Sequence, residues 1–245
     1  MQHVSEHADT FRVPVLTADP TASWVAEGDE ITPSDLATTE LSSPFYKVAG
    51  LSIISSELAE DSLPEAAQLV GAGLARDIAK KIDAAYFGKS TTPEQPKGIE
   101  DVVGVTAVQA GTAWVSLDPF TEAAYNAEGV GATLSAFVAN PADALTLAKL
   151  KQQTGSNVPL LGADPTKPTR RTLGGIPLLV SAAVEAGTVW GIPSGQTMLA
   201  IRRDVRLERD ASVYFTSDRV AIKATLRVTF VFPHAAAIQK VTISA

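Results

Sequence analysis

The segment "DSLPEAAQLVGAGLARDIAKKIDAAYFG", Asp61–Gly88, changes the period of the chain. Val70, Leu74, Ile78, Ile82 and Tyr86 recur every four residues, an apolar stripe that drifts slowly around a helix. Ser62 and Glu65 have the spacing of a capping box. Pro64 sits in the first turn, where its missing N–H is harmless, and Gly88 supplies the stop. A helix over 62–88 follows, long enough to act as a spine for strands laid across it.

On either side the pattern is extended. From Phe11 to Ser56 the chain is rich in Thr, Ser, Pro and β-branched residues, with alternating pieces such as "FRVPVL" and "FYKVAGLSIIS". From Thr197 onwards it is almost entirely strand-patterned. Between them "AGTAWVSL", a helix after Asp118 and another after Asn140-Pro141 alternate with strand-like "AFVA" and "IPLLVSAAV". The expectation is a compact α/β or α+β lobe from about Gly98 to Gly195. Strands before and after this lobe then have to pair with each other around the long helix.

The chain has 245 residues, 45% of them hydrophobic, which is enough for a substantial core. It has no Cys, so disulfides, thiolate metal sites and Cys nucleophiles are excluded. The first ten residues lack an apolar signal core, and no later segment offers 18 consecutive apolar residues. A net charge of -7 argues against a protein built mainly to neutralise phosphates.

Catalytic signatures are near misses. "GKS" at Gly88–Ser90 has Asp83 where a phosphate-binding loop needs its first Gly, and it ends a helix instead of opening one. "GAGLAR" at Gly71–Arg76 lies inside the helix and reads as close packing. "GIPSG" at Gly191–Gly195 misplaces Ser194 for a nucleophile elbow. His3 and His7 have helical metal-ligand spacing but sit in a polar terminus, and His234 has no sequence-near carboxylate. No metal, cofactor or catalytic residue is expected.

One further stretch stands out: "WVAEGDEITPSD", Trp24–Asp35, packs Glu27, Asp29, Glu30 and Asp35 into twelve residues. Its order of oxygens does not match a calcium loop, and carboxylate-pair glycosidase chemistry is not excluded by sequence. From Val13 to Tyr46 there are six acidic residues and no basic one, whereas Arg202–Arg227 carries seven basic residues against four acidic. Opposite charge in two separated segments suits a contact between subunits. The expected contact residues are Trp24, Glu27, Asp29, Glu30 and Asp35 on one side and Arg202, Arg203, Arg206 and Arg209 on the other.

The order of segments resembles the major capsid proteins of tailed bacteriophages with the Hong Kong 97-type (HK-97-type) fold. Trp24-Val-x-Glu-Gly28, Ser34-Asp35, "KVA" at Lys47 and "SSEL" at Ser55 lead into the long helix. "PKGI" (Pro96–Ile99), "VANPADALTLAKLK", "LGGIPLLVS" and "DRVAIKATLRVTFVFPHAAAIQKV" follow in the same order. The resemblance implies an α+β fold divided into an N-terminal arm (1–19), an extended loop (20–50), a peripheral domain (51–97 and 198–223, with spine helix 62–88) and an axial domain (98–197 and 224–245).

It also implies a structural protein, with no catalytic activity, that self-assembles as pentamers and hexamers into an icosahedral shell around double-stranded DNA. Such a shell is put together in the bacterial host cytoplasm and ends in the virion. Its partners would be copies of itself, with portal, scaffold, protease and decoration proteins as further candidates. Packaged DNA would be touched only weakly, and no membrane is involved. Some relatives crosslink a loop Lys to a late Asn. Here no Lys lies between Arg12 and Lys47 and Asp218 stands at the Asn position, so that crosslink is not expected. Alternative readings are an encapsulin-type bacterial shell, a tail or head-completion protein, and a carboxylate-based hydrolase.

Overall fold

A computed structural model describes residues 2–3, 9–18, 21–28, 30, 32–35, 37–61, 65–153, 155–161 and 171–244. The expected Ser62–Pro64 cap, His7 and Asp29 lie outside the described residues. The spacing of apolar residues is answered by α2 (Glu65–Phe87), which follows a separate short helix, α1 (Ser56–Asp61). Helix α2 stops at Gly88, whose N–H donates to the Ala84 carbonyl at 3.0 Å.

Helix α2 lies across a four-stranded sheet of order β1 (Gln2–His3), β10 (Met198–Asp210), β11 (Arg219–Val231) and β4 (Tyr46–Ser55). β4 and β11 run antiparallel from Tyr46↔Val228 to Ser55↔Arg219, so residues on the two sides of the central lobe do pair. Ile78 and Ala85 of α2 pack with Ala224, Leu226, Val228 and Phe230 of β11 and with Ile201. Leu74, Ile82 and Tyr86 extend the same stripe. β4 alternates strictly, and Lys47, Ala49, Leu51 and Ile53 face solvent on the side away from the helix.

The lobe is a second, six-stranded mixed sheet. Its order is β5 (Thr106–Gln109), β12 (Gln239–Thr242), β9 (Thr188–Ile192), β6 (Ala136–Ala139), β8 (Ile176–Val180) and β7 (Thr172–Leu173). Helices α3 (Asp118–Gly129) and α4 (Pro141–Lys149) contribute Phe120, Ala123 and Leu147 to a core shared with Trp114, Phe137, Val189 and Val241. Asn140 caps α4 by accepting from the Ala142 N–H at 3.1 Å, with Pro141 at the first helical position. Asp143 is buried yet satisfied: one carboxylate oxygen accepts from Trp114 Nε1 and the other from the Gly187 N–H, both at 2.8 Å.

Tyr86 joins the two sheets. Its ring meets Phe87 and Phe230 edge-on, with centroids 4.9 and 5.2 Å away, and Phe232 at 5.6 Å. Burial pushes its phenol pKa up, partly countered by a hydrogen bond with Thr197.

Two boundaries differ from the sequence reading. β11 continues unbroken to Val231, so the chain leaves the four-stranded sheet in residues 232–238 and not at 224. Hydrogen bonding along one strand gives no reason to divide it at Lys223. The residues read as a separate terminal arm also do not stand alone. β2 (Thr10–Ala18) pairs antiparallel with β3 (Ala37–Pro44), from Thr10↔Pro44 to Ala18↔Ala37, as a two-stranded ribbon.

Candidate assembly surface

The ribbon is held at its base and open at its tip. At the base Phe11 is buried with Ala200 and Val231 and tilts against Phe45, with centroids 6.5 Å apart. The Ser43 and Thr229 hydroxyls share a hydrogen bond of 2.6 Å, and Arg202 donates to Asp9 at 3.1 Å. Beyond this footing burial falls away, and seven of the eight residues of β3 are exposed.

At the tip every described residue from Thr21 to Asp35 is exposed, Trp24 completely so. Glu27 and Gly28 form a turn in which Gly28 takes φ +94°, a conformation that suits glycine. Ser34 Oγ donates to the Thr21 carbonyl at 3.2 Å and ties the two legs together. Among the described residues, Glu27, Glu30 and Asp35 make no ion pair within the chain.

Of the expected basic residues, Arg203 and Arg206 lie on the sheet face opposite α2 with Arg202 beside them, whereas Arg209 pairs with Ile222, in phase with the helix-facing Ala224. Strand register sets Lys47 opposite Arg227 and Arg227 opposite Arg203, three cations in one row across β4, β11 and β10. Like charges directly opposite each other weaken a sheet unless an anion lies beside them. Arg202 and Arg206 flank the row, and the five cations line a groove of about 390 Å³ that also contains Glu208. Glu208 accepts from Lys223 at 2.5 Å and Arg206 at 3.0 Å. The Lys223 hydrogen bond and then the Arg206 charge hold its carboxyl pKa below the usual glutamate range. Arg202 is paired with Asp9, whereas Lys47 and Arg227 have no carboxylate partner among the described residues.

The expected residues are therefore only partly gathered. Arg202, Arg203 and Arg206 share the groove. Arg209 lies farther along β10, beside a neighbouring pocket with Leu51 and Val213. Trp24, Glu27, Glu30 and Asp35 share the ribbon tip. Lys47 and Arg227 were not among the expected contact residues; only strand register reveals them.

The near-miss motifs serve structure. The Ser90 N–H of "GKS" donates to the Asp101 carboxylate at 2.6 Å, so a carboxylate occupies that donor. A Cβ on Gly71 would sit 3.1 Å from Leu207, which is close helix-to-sheet packing. Ser194 Oγ bonds Ser135 Oγ at 2.8 Å, and His234 Nδ1 accepts from the Ala237 N–H at 3.1 Å in a 3₁₀ turn. Among the described residues no group of three or more His, Asp or Glu side chains could hold a metal ion, and no helix is long and apolar enough to cross a membrane.

The fold has many relatives among solved structures. The capsid of a native GTA particle is 22% identical, with a TM-score of 0.77 over 99% of this chain and 87% of that one. A Mycobacterium phage Adephagia structure is 17% identical, with a TM-score of 0.78 over 100% and 88%. A Gordonia phage Cozz structure is 18% identical, with a TM-score of 0.74 over 100% and 84%. At these identities the likeness establishes an α+β fold of broadly HK-97-type architecture. No curated protein gives a significant match. The model of the Phage capsid family, in contrast, matches residues 2–243, nearly the whole sequence. The chain belongs to the phage capsid family.

Proposed function

We propose that this chain closes its shell by exchanging arms: the acidic tip of one copy's ribbon lies on the basic sheet face of the next. Membership of the phage capsid family makes the chain a structural shell subunit. In this reading Glu27, Asp29, Glu30 and Asp35, with Trp24, meet Arg202, Arg203 and Arg206, with Lys47 and Arg227 completing the row and Arg209 at its edge. The observation that carries it is Lys47 directly opposite Arg227 across β4 and β11, two like charges with no carboxylate partner among the described residues, an arrangement that an anionic neighbour relieves. The net charge of -7 favours a protein segment over packaged DNA as that neighbour.

The four-stranded sheet with α2 then forms the peripheral domain and α2 its spine. The six-stranded sheet with α3 and α4 forms the axial domain that gathers around five-fold and six-fold axes, the division falling after Val231. Contacts of this head-to-tail kind close into rings, which supports pentamers and hexamers of one chain in an icosahedral shell around double-stranded DNA. Assembly in the bacterial host cytoplasm and residence in the virion follow, with portal, scaffold, protease and decoration proteins as further partners.

Electron microscopy of the purified full chain tests the reading. Closed shells with five-fold and six-fold capsomers are expected. Rings or tubes alone, or a stable monomer at micromolar concentration by light scattering, would overturn it.

A further inference from the structure

We infer that Trp24 is the anchor of the arm contact, seated in an apolar pocket beside the cation row of a second copy. This rests on the arm-exchange reading and adds the residue and pocket that fix its register. Trp114 and Trp190 are buried at 5% and 2% exposure, whereas Trp24 stands fully exposed at the tip of a ribbon, next to the partly exposed Val25. A Trp at such a place is the residue type that most often dominates an interface.

A receiving surface lies on the same sheet face as the cation row. Leu51, Val213, Tyr214 and Ala221 line a pocket of about 570 Å³ together with Arg209 and Lys223, and Leu51 and Val213 are 58% and 68% exposed. The carboxylates at its rim are already engaged. Glu208 is held by Lys223 and Arg206, and Asp210 accepts from the Ser212 N–H and hydroxyl at 2.8 and 2.6 Å. The pocket therefore presents its apolar wall to an incoming ring.

Spacing joins the two halves. Leu51 and Lys47 are four residues apart on β4, about 13 Å along the strand. Trp24 precedes Glu27 by three residues, a reach of up to about 10 Å in extended chain, before the chain turns at Glu27–Gly28. A tip with Trp24 in the pocket thus brings the Glu27 carboxylate within side-chain reach of Lys47, the near end of the cation row. Both charge and apolar character match. This favours a second copy of the chain over an unrelated partner.

The absence of cysteine makes the test clean. In assembled particles, the double variant Val25→Cys/Val213→Cys treated with a bis-maleimide should give a ladder of more than two linked chains on a denaturing gel, with each single variant giving dimers at most. Glu27→Cys/Lys47→Cys probes the charged half separately. A ladder from the second pair without one from the first overturns the anchor and leaves arm exchange standing; no ladder from either pair in intact particles overturns both. The unsubstituted protein decides if a variant fails to assemble. Acrylamide quenching of its exposed Trp component should fall several-fold on assembly, and unchanged quenching overturns the anchor. Protection of Trp24 only after another protein is added would assign the tip to a foreign partner and equally overturn it.

Discussion

β6 and β3 are both short strands, and they are buried in opposite ways. Three of the four residues of β6 are buried, with Phe137 and Ala139 at zero exposure, whereas seven of the eight residues of β3 face solvent. β6 has a paired strand on each side and apolar packing on both faces; β3 pairs only with β2 among the described residues. An isolated two-stranded ribbon is marginal in water, so the ribbon depends on its footing. The lobe is finished within one chain. The proposed arm exchange would finish the ribbon only in an assembly, and mutations should separate the two.

The largest effect should come from the core under the helix. Ile78 is 3% exposed, and Ile78→Asp places a carboxylate among Leu226, Val228 and Phe230 with no partner, at about 4 kcal/mol or more. Chemical denaturation should show loss of the folded chain, and no particles should form. Asp143→Ala should follow, because it strands the Trp114 Nε1–H and the Gly187 N–H. Each unpaired buried donor costs about 1–3 kcal/mol, visible as a lower denaturation midpoint before any effect on arm contacts.

Replacing Glu27, Asp29 and Glu30 together by Lys should reverse the pattern. Each exposed pair contributes only about 0.2–1 kcal/mol, so circular dichroism should be unchanged, but the shift repeats at every contact and particle yield should collapse. The defect should weaken at high salt, where the screening length shrinks to about 3 Å at 1 M. Changing Arg202, Arg203 and Arg206 to Glu in the same chain should restore assembly only in part, because Arg202 also holds Asp9 at the ribbon's own base. Unimpaired assembly of the triple Lys variant at low salt would make the tip a solvated loop. The smallest effects belong to Ser194→Ala and His234→Gln. Each loses one local hydrogen bond, about 1 kcal/mol or less, and leaves particles intact by electron microscopy.

Local signals made much of the architecture legible. The four-residue recurrence from Val70 to Tyr86 and the Asn140-Pro141 cap act within a few residues, and α2 and α4 lie where those signals put them. β9 has no such signal: "TVWGI" is five residues with no clear alternation, too short to show a period, although it lies between β12 and β6 near the centre of the lobe sheet. The acidic tip could be read because its charges are adjacent in sequence. The cation row could not: Lys47 and Arg203 are brought into line through Arg227 by two strand pairings, and a slip of one residue in either would turn a member to the other face. For the same reason the pairing of β2 with β3, which makes the ribbon from both sides of the tip, had no local signature.

Gly98 illustrates how little slack the molecule leaves where helix meets lobe. A Cβ there would lie 2.2 Å from the Gly88 carbonyl oxygen, 2.3 Å from that of Ala85 and 2.9 Å from that of Tyr86. The end of α2 and the entry to the lobe thus touch backbone to backbone, with no side chain between them to flex. The helix becomes a lever with its fulcrum at this glycine. Its 23 residues span about 34 Å, so a tilt of about 5° at the fulcrum moves the far end by about 3 Å. Even Gly98→Ala would wedge the joint open and re-aim that far end, which makes position 98 a place where a single methyl group could alter the curvature of a whole surface.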